Sequence, residues 1–140
     1  MVAGRPSLGY ARAGIAEYLG RLKAATKVEE HFLKVTPDLH KRMLEKSEGC
    51  FRIMLDERGR QFSSLGLADE LAKLENRSIS KCALLVAGAE GWGEAMRGRA
   101  DLLWSLGLHT LQHELALVVA LEQIYRAEMI RAGSPYHREG

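Results

Sequence analysis

Apolar positions along this chain switch between a helical period and the short runs of strands, and the switching predicts its elements. Ala11, Ile15, Tyr18, Leu19 and Leu22 fall at i, i+4, i+7, i+8 and i+11, with Arg12, Glu17 and Arg21 among them, which is the stripe of an amphipathic helix. Val28 to Val35 reads as a short strand closed by Thr36 and Pro37, and Asp38 to Lys46 as a short helix capped by Thr36 or Asp38. Phe51 to Asp56 is an apolar strand, with Glu57-Arg58-Gly59 as a tight turn behind it. Helix is expected from about Ser64 to Asn76, with Leu67, Leu71 and Leu74 on one side and Asp69, Lys73 and Asn76 outside. Cys82 to Ala87 is nearly all apolar, the pattern of a strand buried on both faces of a parallel sheet.

A glycine-rich turn follows, Gly88-Ala89-Glu90-Gly91-Trp92-Gly93, leading into a helix from Glu94 to Asp101. Leu103 to Leu111 reads as a fourth strand running into a loop, and Glu114 to about Ala132 as a long helix stopped by Gly133 and Pro135. On that helix Leu117, Leu121, Ile124 and Tyr125 form one side, and Leu115, Val118, Val119 and Met129 widen the apolar arc. A second buried face is implied. A two-fold subunit interface explains it economically, and a helix crossing the core would look similar. The alternation of helices and strands predicts one α/β domain over residues 1–140, a mostly parallel sheet flanked by helices. Its first strand is only a stub, Met1-Val2-Ala3-Gly4, and is expected to be truncated.

The 140 residues, 46% hydrophobic and 27% charged, suit a single soluble core, and no apolar run reaches the roughly 20 residues of a membrane span. The segment from Met1 to Gly14 has no apolar signal-peptide centre. A net charge of +2 permits a nucleic-acid partner without demanding one. Cys50 and Cys82 have no C-x-x-C spacing and suit buried thiols in a reducing compartment, so a cytoplasmic location is expected. His109, His113 and Glu114 invite a metal reading that fails, because the first histidine sits in a presumed loop with no third ligand nearby; no metal is expected. The glycine turn is spaced G-x-x-G-x-G, neither the dinucleotide fingerprint nor a phosphate-binding P-loop. By itself it leaves open an ordinary strand-to-helix turn or a ligand loop.

The closing Ser134-Pro135-Tyr136-His137-Arg138-Glu139-Gly140 ends the chain on an aromatic, an imidazole and a guanidinium where polar filler is usual. Together with Val86-Ala87-Gly88-Ala89-Glu90-Gly91, Trp104-Ser105-Leu106, Thr110-Leu111-Gln112-His113 and Glu122-Gln123-Ile124-Tyr125-Arg126-Ala127, this tail resembles the ribosomal RNA large subunit methyltransferase H family. That family belongs to the SPOUT superfamily. Gly14-x-x-Glu17-Tyr18-Leu19 and the Leu55-Asp56 strand end extend the resemblance over nearly the whole chain.

The resemblance implies a C-terminal trefoil knot, a homodimer, and S-adenosylmethionine-dependent methylation of N3 of a pseudouridine in 23S rRNA of the assembled ribosome. It implies a cofactor pocket formed by Leu55, by Ala87 and Gly88, and by the loop of Leu106, Gly107, Leu108, His109, Thr110 and Leu111. Methyl transfer from a sulfonium needs N3 held in line with the methyl carbon and help for the imide in losing its proton. For that chemistry His137 is the candidate for the proton, Arg138 for developing charge or a phosphate, and Tyr136 for stacking on or hydrogen-bonding the base. Arg97, Arg99, Arg126 and Arg131 are candidates for rRNA phosphates or for a solvated face. Two readings follow: an active rRNA methyltransferase, or a noncatalytic dimer of the same fold that binds ribosome or cofactor without turnover.

Overall fold

Parallel pairing of short apolar strands organises the chain, as seen in a computed structural model that describes residues 1–138. The elements in order are β1 (Val2–Ala3), α1 (Gly9–Ala25), β2 (Phe32–Leu33), α2 (Leu39–Lys46), β3 (Phe51–Gln61), α3 (Ser64–Asn76), β4 (Cys82–Leu85), α4 (Glu94–Arg97), β5 (Leu102–Ser105) and α5 (His113–Arg131). β1 pairs with β2, and β4, β3 and β5 pair in that order, all parallel. A bridge from Val2 to Val86, reinforced by the Ala3 amide on the Val86 carbonyl at 3.1 Å, joins the two groups into the order β2-β1-β4-β3-β5. The stub at the start of the chain is thus an interior strand, short but paired on both sides.

Side chains alternate across the strands and divide the core between two faces. Met54, Leu85, Ala3 and Ala87 pack with Leu39 and Met43 of α2 and with Trp92 and Met96. On the opposite face Val86 meets Ala11, Ile15 and Leu22 of α1 and Leu117 and Leu121 of α5. Ile53 and Trp104 meet Leu67 and Ala68 of α3 and Ala120 and Ala127 of α5. Helix α5 therefore lies against both α1 and α3. The close approach of α1 requires Gly14, where a Cβ would come within 2.9 Å of Val118 Cγ1.

The wide apolar arc of the last helix is largely used within the chain, by neighbours on two sides. A third stripe, Leu115, Val119 and Met129, is half-buried and joins none of the three core clusters.

Helix boundaries follow their caps. Ser63 Oγ accepts from the Gly66 amide at 2.9 Å and starts α3 at Ser64. Gln112 Oε1 accepts from the Glu114 and Leu115 amides and starts α5. Glu114 reaches across to the start of α1, its carboxylate accepting from the Ser7 and Leu8 amides at 2.7 and 3.0 Å. Those bonds hold its pKa below the ordinary carboxylate value, the Leu8 amide first. Gly133, at φ +73°, ends α5 with the paired bonds Ser134 N–H to Met129 O and Gly133 N–H to Ile130 O.

Four expectations are corrected. The strand expected over 28–35 contracts to Phe32–Leu33, and the helix expected over 94–101 to Glu94–Arg97. β4 ends at Leu85, with Val86 in an isolated bridge. Glu57-Arg58-Gly59 does not end β3: both Leu55 and Arg60 pair with Trp104, so residues 56–59 bulge out and the strand resumes. No helix among the described residues is long and apolar enough to cross a membrane.

Candidate active site

The bulge in β3 is the first wall of a cleft. Because β4 and β5 flank β3 on opposite sides, the chain reverses direction across the sheet there, and ligands of parallel α/β sheets bind outside the carboxyl ends of strands at such a point. The cleft measures about 570 Å³, within the roughly 300–1,000 Å³ of small-molecule sites. Three loops enclose it: 55–58 from β3, 86–92 after β4, and 104–113 leading from β5 into α5.

Side chains tie these loops together. The Trp92 indole N–H donates to the Leu55 carbonyl at 2.9 Å, fixing the glycine turn to the β3 bulge. Arg97 Nη1 donates to the Trp92 carbonyl and lies 3.6 Å from Asp56 Oδ2, with the two side chains 16% and 10% exposed. Thr110 Oγ1 donates to Glu57 Oε2 at 2.9 Å, joining the third loop to the bulge. Ser105 Oγ donates to the Gly107 carbonyl and accepts from its amide, and Gly107 holds φ +149°.

Of the cofactor residues expected from the sequence, Leu55, Ala87, Gly88, Leu106, Gly107, His109, Thr110 and Leu111 all line this cleft. Leu108 does not; the residue is 88% exposed. Ala87 is buried, packs in the core, and is not among the residues at positive φ, so its backbone has no need of glycine. Sequence reading did not single out Asp56, Glu57, Arg58, Trp92, Arg97 and His113 as cofactor-site residues, although they line it too. The one signal for Trp92 was an aromatic inside a glycine-rich turn. Among the described residues no three His, Cys, Asp or Glu side chains gather into a metal-binding group.

The tail is elsewhere. Tyr136, His137 and Arg138 do not line the cleft of their own chain. Tyr136 and His137 fold back along α5, where Tyr136 Oη donates to Glu122 Oε1 at 3.2 Å and the Tyr136 ring meets Tyr125 edge-on at 4.8 Å, while Arg138 is exposed. Arg126 stacks over the Tyr136 ring at 4.8 Å, donates from Nε and Nη2 to Glu122 Oε1, and places Nη1 3.2 Å from His137 Nδ1. Burial, first, and then the hydrogen bond with Tyr18 and the charge of Glu122 push the Tyr136 hydroxyl up to about 12. At 1.5 Å rise per residue, Glu122 and Arg126 stand roughly 14 and 20 Å along α5 from His113 at the cleft. Of the four arginines considered for phosphates, Arg97, Arg126 and Arg131 pair with carboxylates, and Arg99 is exposed.

Residues 1–137 match the family model described as "Predicted SPOUT methyltransferase". The chain belongs to the SPOUT methyltransferase family. It is 45% identical over 138 residues to a protein of Thermus thermophilus named ribosomal RNA large subunit methyltransferase H, covering 99% of this chain and 96% of that one. A protein of the same name from Deinococcus radiodurans is 41% identical over 140 residues, with 99% and 96% covered. One from Streptococcus mutans is 38% identical over 148 residues, with 92% and 91% covered. As a SPOUT methyltransferase the chain is an enzyme that moves a methyl group from a donor, and in this cleft the β3 bulge, the loops after β4 and β5, the polar ties between them and a small-molecule volume coincide.

Proposed function

We propose that this chain methylates ribosomal RNA of the large subunit, transferring the methyl of S-adenosylmethionine to N3 of a pseudouridine in 23S rRNA of the assembled ribosome, in the cytoplasm. The reading is supported by full-length similarity to proteins named ribosomal RNA large subunit methyltransferase H, combined with a cleft of small-molecule size, and its donor and target base are those the family resemblance implies. Leu55, Val86, Trp104, Leu106 and Leu111 offer apolar wall for an adenine ring, and the backbone of 87–91 and 107–111 offers amides and carbonyls for its edge and ribose. Glu57 and Glu90 put carboxylates in the same lining that would attract the donor's positive charge, while Asp56 is paired with Arg97. Bound S-adenosylmethionine supplies an electrophilic methyl carbon on a sulfonium. The protein's own part would be to hold that donor in the cleft and orient the base toward its methyl group.

The catalytic groups in this reading are Tyr136, His137 and Arg138, and their distance from the cleft of the same chain supports a homodimer in which each tail serves the partner's cleft. The half-buried stripe of Leu115, Val119 and Met129 on α5, which joins none of the chain's three core clusters, supports the same interface. The knot is proposed on a related ground. After β5 at one edge of the sheet, α5 returns to lie against α1, anchored by Glu114 on Ser7 and Leu8, a path consistent with threading past the 86–92 loop.

Titrating S-adenosylmethionine calorimetrically and assaying transfer to 70S ribosomes lacking the modification tests the reading. Binding and transfer to one pseudouridine are expected. Binding without transfer favours the noncatalytic dimer, and no binding removes the donor assignment.

A further inference from the structure

Among the described residues one buried polar side-chain atom has no hydrogen-bond partner, His137 Nε2. The other ring nitrogen, Nδ1, faces Arg126 Nη1 at 3.2 Å. A guanidinium has five N–H donors, offers no lone pair and keeps its proton in proteins, so this contact is a hydrogen bond only when Nδ1 presents its lone pair. In the neutral imidazole the proton then sits on Nε2. Arg126 cannot easily turn away, because Nε and Nη2 are both committed to Glu122 Oε1 at 3.0 and 2.7 Å and its plane lies over the Tyr136 ring. The nitrogen that His137 has left to offer is a donor, held out of water and unpaired.

We propose that Arg126 is a positioning residue that sets His137 as an Nε2–H donor to a carbonyl oxygen of the target base, next to the nitrogen that takes the methyl. The proposal rests on the rRNA methyltransferase reading above. In the transfer, N3 bonds to the methyl carbon as the carbon–sulfur bond breaks, its electron pair staying on sulfur and neutralising the sulfonium, while the N3 proton passes to solvent water. The charge of the deprotonated imide spreads onto the two flanking carbonyl oxygens. An N–H held in one tautomer and brought to one of them as the base seats stabilises that charge as it forms. His137 in this role assists loss of the proton without receiving it, and Glu122, Arg126 and Tyr136, which hold it, act through it.

Two measurements test this. In protein labelled with nitrogen-15 at histidine, the ring shifts at pH 8 are expected to report His137 as the Nε2–H tautomer, and Arg126→Met to convert it to a mixture; an Nδ1–H tautomer in the parent overturns the proposal. In transfer to unmodified 70S ribosomes, His137→Gln is the decisive variant, because its Oε1 can accept from Arg126 while its Nε2 donates outward. It is expected to keep kcat within about tenfold of the parent, whereas His137→Ala and Arg126→Met lose about 100-fold or more with KM for S-adenosylmethionine nearly unchanged. His137→Gln as inactive as His137→Ala, with both folded by circular dichroism, overturns the donor role. A parent that transfers no methyl at all overturns the rRNA reading and the donor role with it, while the tautomer measurement still decides whether Arg126 sets the ring.

Discussion

At the scale of single residues, what a side chain can do here is decided by what its neighbours have already claimed. Arg97, Arg126 and Arg131 are, in the sequence, candidates for phosphates or for a solvated face, and each is paired with a carboxylate in the fold. Ala87, named from the sequence only as a pocket residue, lines the cleft with its backbone at ordinary φ and packs its methyl into the core. Tyr136 looks like a tail residue reaching for a base, and its hydroxyl is raised to about 12 by burial, by Tyr18 and by Glu122. A group whose folded pKa lies above its ordinary value of about 10 favours the folded state fully below pH 10. That contribution is lost as pH rises from 10 through 12, because the unfolded chain gives up the proton first. Denaturant unfolding across this window is expected to show stability falling more steeply in the parent than in Tyr136→Phe. Identical slopes would show that the phenol is not held as described.

At the scale of elements, the parts legible in the sequence are those set by local chemistry. Ser63 caps α3, and both ends of that helix, Ser64 and Asn76, fall where periodicity places them. Gly133 and Pro135 mark the end of α5 in the same way. The bulge in β3 was not legible, because Glu57-Arg58-Gly59 has turn composition and the strand resumes only by pairing with β5, more than forty residues later. Gly59 makes this pairing possible: a Cβ there would stand 2.4 to 2.6 Å from the Leu103 carbonyl group and the Trp104 amide nitrogen. These are backbone atoms of a paired strand and cannot step aside as a flexible side chain would. Gly59→Ala is therefore expected to cost toward the upper end of the ~1–3 kcal/mol typical of overpacking, measured by denaturant unfolding. It should weaken donor binding as well, since Leu55, Asp56 and Glu57 take their places in the cleft from that pairing. A variant as stable as the parent would mean that β3 and β5 separate at this point at little cost.

At the scale of the whole molecule, the chain keeps its cleft and its tail apart. Sequence reading could name the groups of both, through composition and resemblance, but periodicity carries no information on which end of α5 faces which loop of which subunit. Within one chain the Gly133 stop returns Tyr136 and His137 to Glu122 and Arg126, not to the loops around Gly88 and Gly107. If each site combines one subunit's cleft with the partner's tail, two individually inactive variants should rescue one another. Take His137→Ala, defective in the tail, and a cleft variant such as Gly88→Phe, whose ring would intrude where the donor sits; denature them together and refold as a mixture. A mixed dimer pairs one intact cleft with one intact tail across the interface and both defects at the other site. Random pairing makes half of the dimers mixed, each with one good site of two, so about one quarter of parental transfer is expected from the mixture. If tails served their own subunit's cleft, every site in a mixed dimer would carry one defect, and the mixture would stay as inactive as its components.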